Sequence, residues 1–172
     1  MKKLLSFMTI VAAIAMIMTG CKKDEETDSE SNRLVFTNTM LQNKTSFAWE
    51  GLETAQRKEM GSWNDEKTRY VVIRFDRSTT ESTSGTGRLV AFRNSYKEDF
   101  VESSDFRWYF NNDMLYIEWK QSGWQTAHAE YRTSELVVNA NSFIGYCFEK
   151  TDFRWQFNYT KSSFSDWDKY AN

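Results

Sequence analysis

Residues 106–119 read FRWYFNNDMLYIEW, and their pattern indicates the fold class. Phe106, Trp108 and Phe110 alternate with Arg107 and Tyr109, which have polar groups. This two-residue period is typical of a β-strand with one buried face. The next three residues, Asn111-Asn112-Asp113, tolerate positive φ and favour a tight turn. Alternation then resumes to the end of the stretch. The sequence therefore predicts a β-hairpin.

The same two-residue period continues on both sides of this hairpin. Further strands are predicted over residues 70–76, 88–93, 127–132, 136–138, 142–149 and 153–159, with a Ser/Thr/Gly-rich loop over 78–87. Short strands at regular spacing predict an antiparallel meander. Eight or so strands of this kind remove their exposed edges by closing into an up-and-down barrel, so we expect an all-β barrel.

One region does not fit a single interpretation. Within residues 33–63, Phe47-Ala48-Trp49 suggests a strand, whereas residues 50–60 (EGLETAQRKEM) are compatible with a short helix or with a polar excursion. Both alternatives stay open at this stage.

Composition limits the classes of function. The chain has 172 residues, 22 Lys plus Arg, 24 Asp plus Glu, two Cys and one His. This length suits one ordinary domain, and the charge balance gives no excess of positive charge for nucleic acid. No Ser/His/Asp order, HExxH, CxxC pair or phosphate loop occurs. We therefore expect no catalytic site, metal or cofactor, and interpret His128 and Cys147 as ordinary strand residues.

The N-terminus has the features of a secretory signal over residues 1–20. Lys2 and Lys3 precede an apolar run from Leu4 to Met18, and small residues stand just before Cys21. This run is 15 residues long, short of the roughly 20 that a membrane-spanning helix needs. The sequence at 18–21 (MTGC) resembles the bacterial lipobox. The resemblance implies that Cys21 becomes the N-terminus, carries fatty acyl chains such as palmitate and anchors the protein to a membrane.

A polar segment follows the anchor. Residues 22–32 contain five acids, two lysines and no apolar residue, which predicts a solvated, flexible tether over residues 21–32. Residues 23–26 (KDEE) resemble the surface-export signal of Bacteroidota lipoproteins. That resemblance implies the outer face of the outer membrane, and an anchor that faces the periplasm is the alternative.

The rest of the chain, residues 33–172, resembles the lipocalin-like, calycin-type domain of Bacteroidota lipoproteins. The resemblance rests on the central hairpin at 106–119, on SGTG at 84–87, on NANSFIGY at 139–146 and on FRWQFNY at 153–159. It implies an up-and-down barrel of about eight strands without a specified ligand. Lipocalins carry Gly-x-Trp on the first strand; Gly61-Ser62-Trp63 matches these letters, but the NDEK that follows is predicted to be loop.

Two seven-residue segments of the chain are nearly identical. Residues 105–111 (DFRWYFN) and 152–158 (DFRWQFN) share six of seven positions. Each is predicted to place Phe, Trp and Phe on one face of a strand and Arg on the other, and both aromatic faces are candidates for the barrel interior.

Aromatic residues are the candidate ligand contacts. Residues 33–172 hold 27 of the 28 aromatic residues of the chain, and the candidates are Trp124, Trp108, Trp119, Trp155, Tyr116 and Tyr146. Core packing is the alternative for each of them. Trp124 is the strongest candidate because QSGWQ at 121–125 is predicted to be a hairpin tip, where burial is hard to arrange.

These features predict an outer-membrane lipoprotein at the cell surface whose non-catalytic barrel binds a small apolar or glycan-like ligand. The alternative is a structural or interaction subunit of an outer-membrane assembly with a filled barrel. A cavity of about 300 Å³ or more would favour the first function.

Overall fold

The computed structural model describes residues 25–112, 114–120, 128–132 and 135–171, and the side chains within these ranges except those of 25–28 and 128–132. The chain divides into two compact units, residues 1–31 and 32–172. The barrel lies in the second unit.

The described residues form one α-helix, nine strands and a terminal 3₁₀ helix. Their bounds are α1 Glu25–Met40, β1 Ser46–Glu59, β2 Ser62–Asp76, β3 Ser84–Phe92, β4 Phe100–Asn111, β5 Met114–Trp119, β6 His128–Arg132, β7 Val137–Val138, β8 Ser142–Lys150, β9 Phe153–Lys161 and the 3₁₀ helix Trp167–Tyr170.

The strands form one antiparallel sheet that curls and closes. Strands β1 to β6 pair in sequence order, β9 pairs with both β1 and β8, and β6 returns to pair with β8. Eight strands thus form a continuous ring of pairings, and the two-residue β7 adds a short pairing to β8. The predicted all-β, up-and-down barrel is confirmed.

The structure resolves the region that the sequence left open. Residues 50–59 are strand, because β1 runs unbroken from Ser46 to Glu59 along β2. The loop predicted over residues 64–67 is wrong, since these residues are part of β2. These residues are polar because both faces of the hairpin are exposed here. Cross-strand pairs connect the two strands; for example, Arg57 Nε donates to Glu66 Oε1 at 2.5 Å.

Helix α1 begins earlier than the predicted domain boundary. The segment over 21–32 is predicted to be a flexible tether, yet α1 starts at Glu25 and continues to Met40. Acidic residues at the N-terminus of a helix interact favourably with its dipole, so the composition that predicts solvation also suits a first helical turn.

One end of the barrel is filled with side chains. Met40 and Leu41, at the end of α1, are fully buried in one cluster with Trp49 and Phe75. The Trp49 Nε1 atom donates to the Met40 carbonyl oxygen at 2.9 Å, which satisfies the buried indole. This end, where β1 begins and β2 ends, is closed by aromatic packing.

A second hydrophobic cluster lies on the outer face of the sheet. Trp167 in the C-terminal segment packs with Val72, Val90 and Phe92 from β2 and β3. The Arg88 Nη1 atom donates to the Trp167 carbonyl oxygen at 3.3 Å. The C-terminal segment therefore covers an apolar patch that the alternating pattern of β2 and β3 would otherwise expose.

Candidate functional site

The other end of the barrel, where β2, β4 and β9 begin, contains a cavity of about 320 Å³. It is lined by Glu53, Lys67, Arg69, Leu89, Glu102, Ser104, Trp119, Cys147, Glu149, Phe153 and Trp155. Leu89 and Cys147 are buried in the main core cluster, so the cavity rests directly on the packed interior. Its volume lies at the lower end of the range for small-molecule sites.

A buried ion pair forms one wall of this cavity. Glu53 is only 2% exposed, and its Oε2 atom accepts bonds from Arg69 Nε at 2.9 Å and from Arg69 Nη2 at 2.8 Å. The Tyr159 hydroxyl donates to the other oxygen of the same carboxylate. Both oxygens of Glu53 therefore have hydrogen-bond partners, as a buried polar group requires.

Arg69 joins the buried carboxylate to an exposed one. Its Nη1 atom donates to Glu102, whose side chain is 50% exposed. Burial alone would lower the pKa of Arg69, but the carboxylates of Glu53 and Glu102 raise the pKa above its ordinary value. The guanidinium is thus a permanent positive charge held against the cavity.

Trp155 lies between two parts of the cavity lining. The ion pair of Glu53 and Arg69 forms the charged wall, and Trp119 and Phe153 form the aromatic wall. The guanidinium carbon of Arg69 lies 4.0 Å from the centroid of the Trp155 ring, and Lys67 Nζ lies 5.4 Å from it. The Trp155 Nε1 atom donates to Glu149 Oε1 at 2.8 Å, and Phe153 packs edge-on against the ring. Trp155 is therefore held by polar and apolar contacts together.

The remaining cavity surface is mainly apolar, with the Ser104 hydroxyl as a polar group within it. Trp119 and Phe153 are half-buried at the cavity, and Trp119 packs against the buried Phe106 ring with 5.2 Å between centroids. Aromatic faces beside charged groups suit a ligand that has both a flat apolar face and polar substituents.

The six candidate residues from the sequence separate into three groups. Trp119 and Trp155 line the cavity. Trp124 lies outside the described residues. Trp108, Tyr116 and Tyr146 do not line the cavity.

Trp108 lies in the filled end of the barrel. It is 1% exposed, and its Nε1 atom donates to the carbonyl oxygens of Asp76 at 3.2 Å and Thr86 at 3.0 Å. Every part of this side chain is therefore used by the packed core.

Tyr116 and Tyr146 face outward. Tyr116 stacks on Tyr109 at 5.5 Å between centroids, and the flanking Leu115 and Ile117 point into the core. Tyr146 lies beneath Arg154, with 3.8 Å between the guanidinium carbon and the ring centroid. Both tyrosines belong to the outer surface of the barrel, because neighbours along a strand alternate between faces.

The charged residues of the cavity were not among the sequence candidates. A signal for Arg69 exists, because it precedes Val71, Ile73 and Phe75 at the same two-residue spacing and therefore shares their inward face. Glu53 likewise follows the buried Trp49 at even spacing in β1. A charged residue in phase with a buried face is the pattern that points to them.

Comparison of the chain with protein-family models, with curated proteins and with solved structures gives no match. Among the described residues, no group of three or more His, Cys, Asp or Glu side chains is placed to hold a metal ion. No helix in the described part of the chain is both long and apolar enough to cross a membrane.

Proposed function

We propose that this protein is an outer-membrane lipoprotein, anchored through acylated Cys21 and facing the cell surface, whose lipocalin-like barrel binds a small ligand. The observation that carries the binding proposal is the asymmetry of the barrel. One end is packed with aromatic side chains, and the other retains a cavity of about 320 Å³. A structural subunit has no need of such a cavity.

The lining favours a particular kind of ligand within the predicted range of apolar or glycan-like molecules. Ion pairs and a serine hydroxyl share the surface with Trp119, Phe153 and Trp155. A purely apolar ligand would displace water from the more exposed charged groups of the lining, Lys67 and Glu102, and offer no polar group in exchange, which is unfavourable. A ring with polar substituents fits better, since its flat face covers an aromatic side chain while its substituents meet the charged wall.

Binding can be tested by filling the cavity. Ser104 lines the cavity on β4, opposite Leu89 of β3, and Ser104→Phe would place a ring in the empty space. We expect the full-length protein in detergent to bind a hexose or a single-ring aromatic compound, measured by quenching of tryptophan fluorescence, and Ser104→Phe to abolish the signal. Thr86→Phe, at an exposed position on β3, is the matched control and should bind normally.

Equal binding by the wild type and Ser104→Phe would show that the ligand does not use the cavity. Absence of binding to every ring compound in both proteins would contradict the binding function and favour the structural alternative.

The anchor is tested separately. Cys21→Ala should eliminate acyl labelling and shift the protein out of the detergent phase. Replacement of residues 23–26 by neutral residues should protect the protein from protease added to intact cells, while acyl labelling is retained. Labelling of Cys21→Ala at the wild-type level would contradict the lipoprotein proposal.

A further inference from the structure

The cavity contains one cation that is fixed in place before any ligand arrives. The Arg69 guanidinium is held by two hydrogen bonds to Glu53, and the Trp155 ring covers it at 4.0 Å. Glu53 is itself fixed by the Tyr159 hydroxyl. A planar guanidinium held by Glu53 and covered by the Trp155 ring is preorganised, so little conformational freedom is lost when it binds a further group.

Stability alone does not account for this arrangement. Charged pairs inside a protein often contribute no more than apolar residues of similar volume, because taking both charges out of water is costly. The filled end of the same barrel shows that aromatic packing serves these strands well. A charged wall beside the cavity therefore indicates recognition of a polar group.

The two carboxylates on Arg69 differ in how readily they can be replaced. The Glu53 side chain is 3% exposed and has partners on both oxygens, whereas the Glu102 side chain is 50% exposed at the beginning of β4. Water can solvate the Glu102 carboxylate once it leaves Arg69, so separating this pair costs less free energy than separating Arg69 from the buried Glu53. Glu102 is therefore the partner of Arg69 that a ligand can displace.

Lys67 adds a second positive charge to the same surface. Its Nζ atom lies over the Trp155 ring, and its side chain lines the cavity next to Arg69. An anion that replaced Glu102 on Arg69 Nη1 would thus have two cations beside it. The other two carboxylates of the lining are already engaged, Glu53 by Arg69 and Tyr159 and Glu149 by the Trp155 indole.

We propose that the cavity selects ring compounds that carry a carboxylate, and that this carboxylate takes the place of Glu102 on Arg69. This inference rests on the proposed binding function and specifies its ligand class. The ring would cover Trp119 and Phe153, and the displaced Glu102 side chain would turn to solvent. Sugar acids and aromatic acids share this chemistry, and the two sources are separated by the experiment.

The experiment compares ligands that differ in one substituent. Glucuronate, glucose and glucosamine form one series, and benzoate and benzyl alcohol form the other. Dissociation constants are measured by titration calorimetry on the full-length protein in detergent. We expect the acid to bind more tightly than its neutral analogue in at least one series, and the series in which it does so identifies the source of the ring.

A variant that removes the internal competitor makes the test specific. Glu102→Gln should tighten binding of the acid about two- to fivefold, because the acid no longer competes with a solvated carboxylate for Arg69, and should leave the neutral analogue unchanged. Glu66→Gln is the matched control, because it breaks the exposed pair of Glu66 with Arg57 but does not line the cavity. It should change neither ligand.

The outcomes separate this inference from the function on which it rests. Equal affinity for acid and neutral ring, with no effect of Glu102→Gln, would overturn the carboxylate selection and leave the binding function in place. Preferred binding of glucosamine, weakened by Glu102→Gln, would overturn it in favour of a cationic ligand. Failure of every ring compound to bind would contradict both.

Discussion

The Arg69 guanidinium carbon lies 4.0 Å above the centroid of the Trp155 ring, so the charged wall and the aromatic wall of the cavity meet at this contact. Trp155 is 7% exposed and belongs to the main core cluster. The residue consequently has two roles that mutation can separate: it fills space in the barrel, and it holds the cation against the cavity.

Trp155→Ala is expected to lower the free energy of unfolding by about 3–5 kcal/mol, as large-to-small changes at buried sites do. It should also weaken ring-ligand binding, because Arg69 loses the surface on which it rests. Trp108→Ala should cost about the same stability and leave affinity unchanged, since Trp108 lies outside the cavity. Urea unfolding and ligand titration on both variants test this contrast.

Trp155→Phe tests whether a smaller aromatic ring at the same position is sufficient. A smaller ring retains a face for the guanidinium, so this variant should recover part of both losses. The expectation fails if Trp108→Ala weakens binding as much as Trp155→Ala does at temperatures where both variants are folded.

The contrast between these two tryptophans shows where sequence reasoning stops. Trp108 and Trp155 occupy the same place in two seven-residue segments that match at six positions, and both side chains point inward as predicted. Trp108, however, lies near the end of β4, whereas Trp155 lies near the beginning of β9. Alternation determines the face of a strand, but height along the barrel depends on register between strands that are distant in sequence.

The barrel itself was predictable because its signal is local. Inward-facing residues in β4, β5 and β8 alternate strictly, and the turn between β4 and β5 carries a residue that suits it, Asn112 with a φ of 48°. The β1 and β2 hairpin was harder to predict, because residues 57–67 form strands whose side chains are largely exposed on both faces. Without a buried face, a strand has no alternation to detect.

Glu53→Gln should be strongly destabilising, by about 3–5 kcal/mol, because Arg69 would remain inside the barrel without its main counter-charge. Glu53→Met together with Arg69→Met should be less destabilising than the sum of the two single changes, since an apolar pair leaves no uncompensated charge. A double-mutant cycle from urea unfolding measures this coupling. Strict additivity of the two changes would show that the pair is not coupled in the folded protein.

Gly51→Ala should disturb the backbone pairing between β1 and β9. A methyl group at Gly51 would overlap the carbonyl oxygen of Asn158 on β9, so the paired backbones would have to separate. We expect a loss of about 3 kcal/mol, the upper end of the range for overpacking, because backbone atoms rather than a flexible side chain would have to move.

Gly61→Ala is the comparison for this prediction. Gly61 has a φ of 88° in the turn between β1 and β2, and no atom lies within 4 Å of the added methyl group. Its cost of about 1–2 kcal/mol would come from backbone conformation alone. Gly51→Ala should therefore unfold at a lower urea concentration than Gly61→Ala. The reverse order would show that the paired backbones of β1 and β9 accommodate the methyl group.

Glu50 gives the protein a stability that depends on pH. Its carboxylate accepts bonds from Lys97 Nζ at 2.9 and 3.0 Å, from the Tyr70 hydroxyl at 3.0 Å and from the Ser162 hydroxyl. Burial alone would raise the pKa of Glu50, but the bonds from Ser162 and Lys97 and the charge of Lys97 together lower it below the ordinary value of 4.5. The ionised form is thus favoured in the folded protein.

A lowered folded-state pKa contributes stability above the unfolded-state pKa, and this contribution is lost as the pH falls through the folded-state pKa. Glu50→Gln should therefore be less stable than wild type at pH 7, and the difference should shrink as the pH falls from about 4.5 downward. Lys97→Met should show a smaller pH dependence than wild type, because it removes both a bond and a charge that favour ionised Glu50. Urea unfolding of the three proteins over this range checks the sign, and a wild-type advantage that grows toward low pH would contradict it.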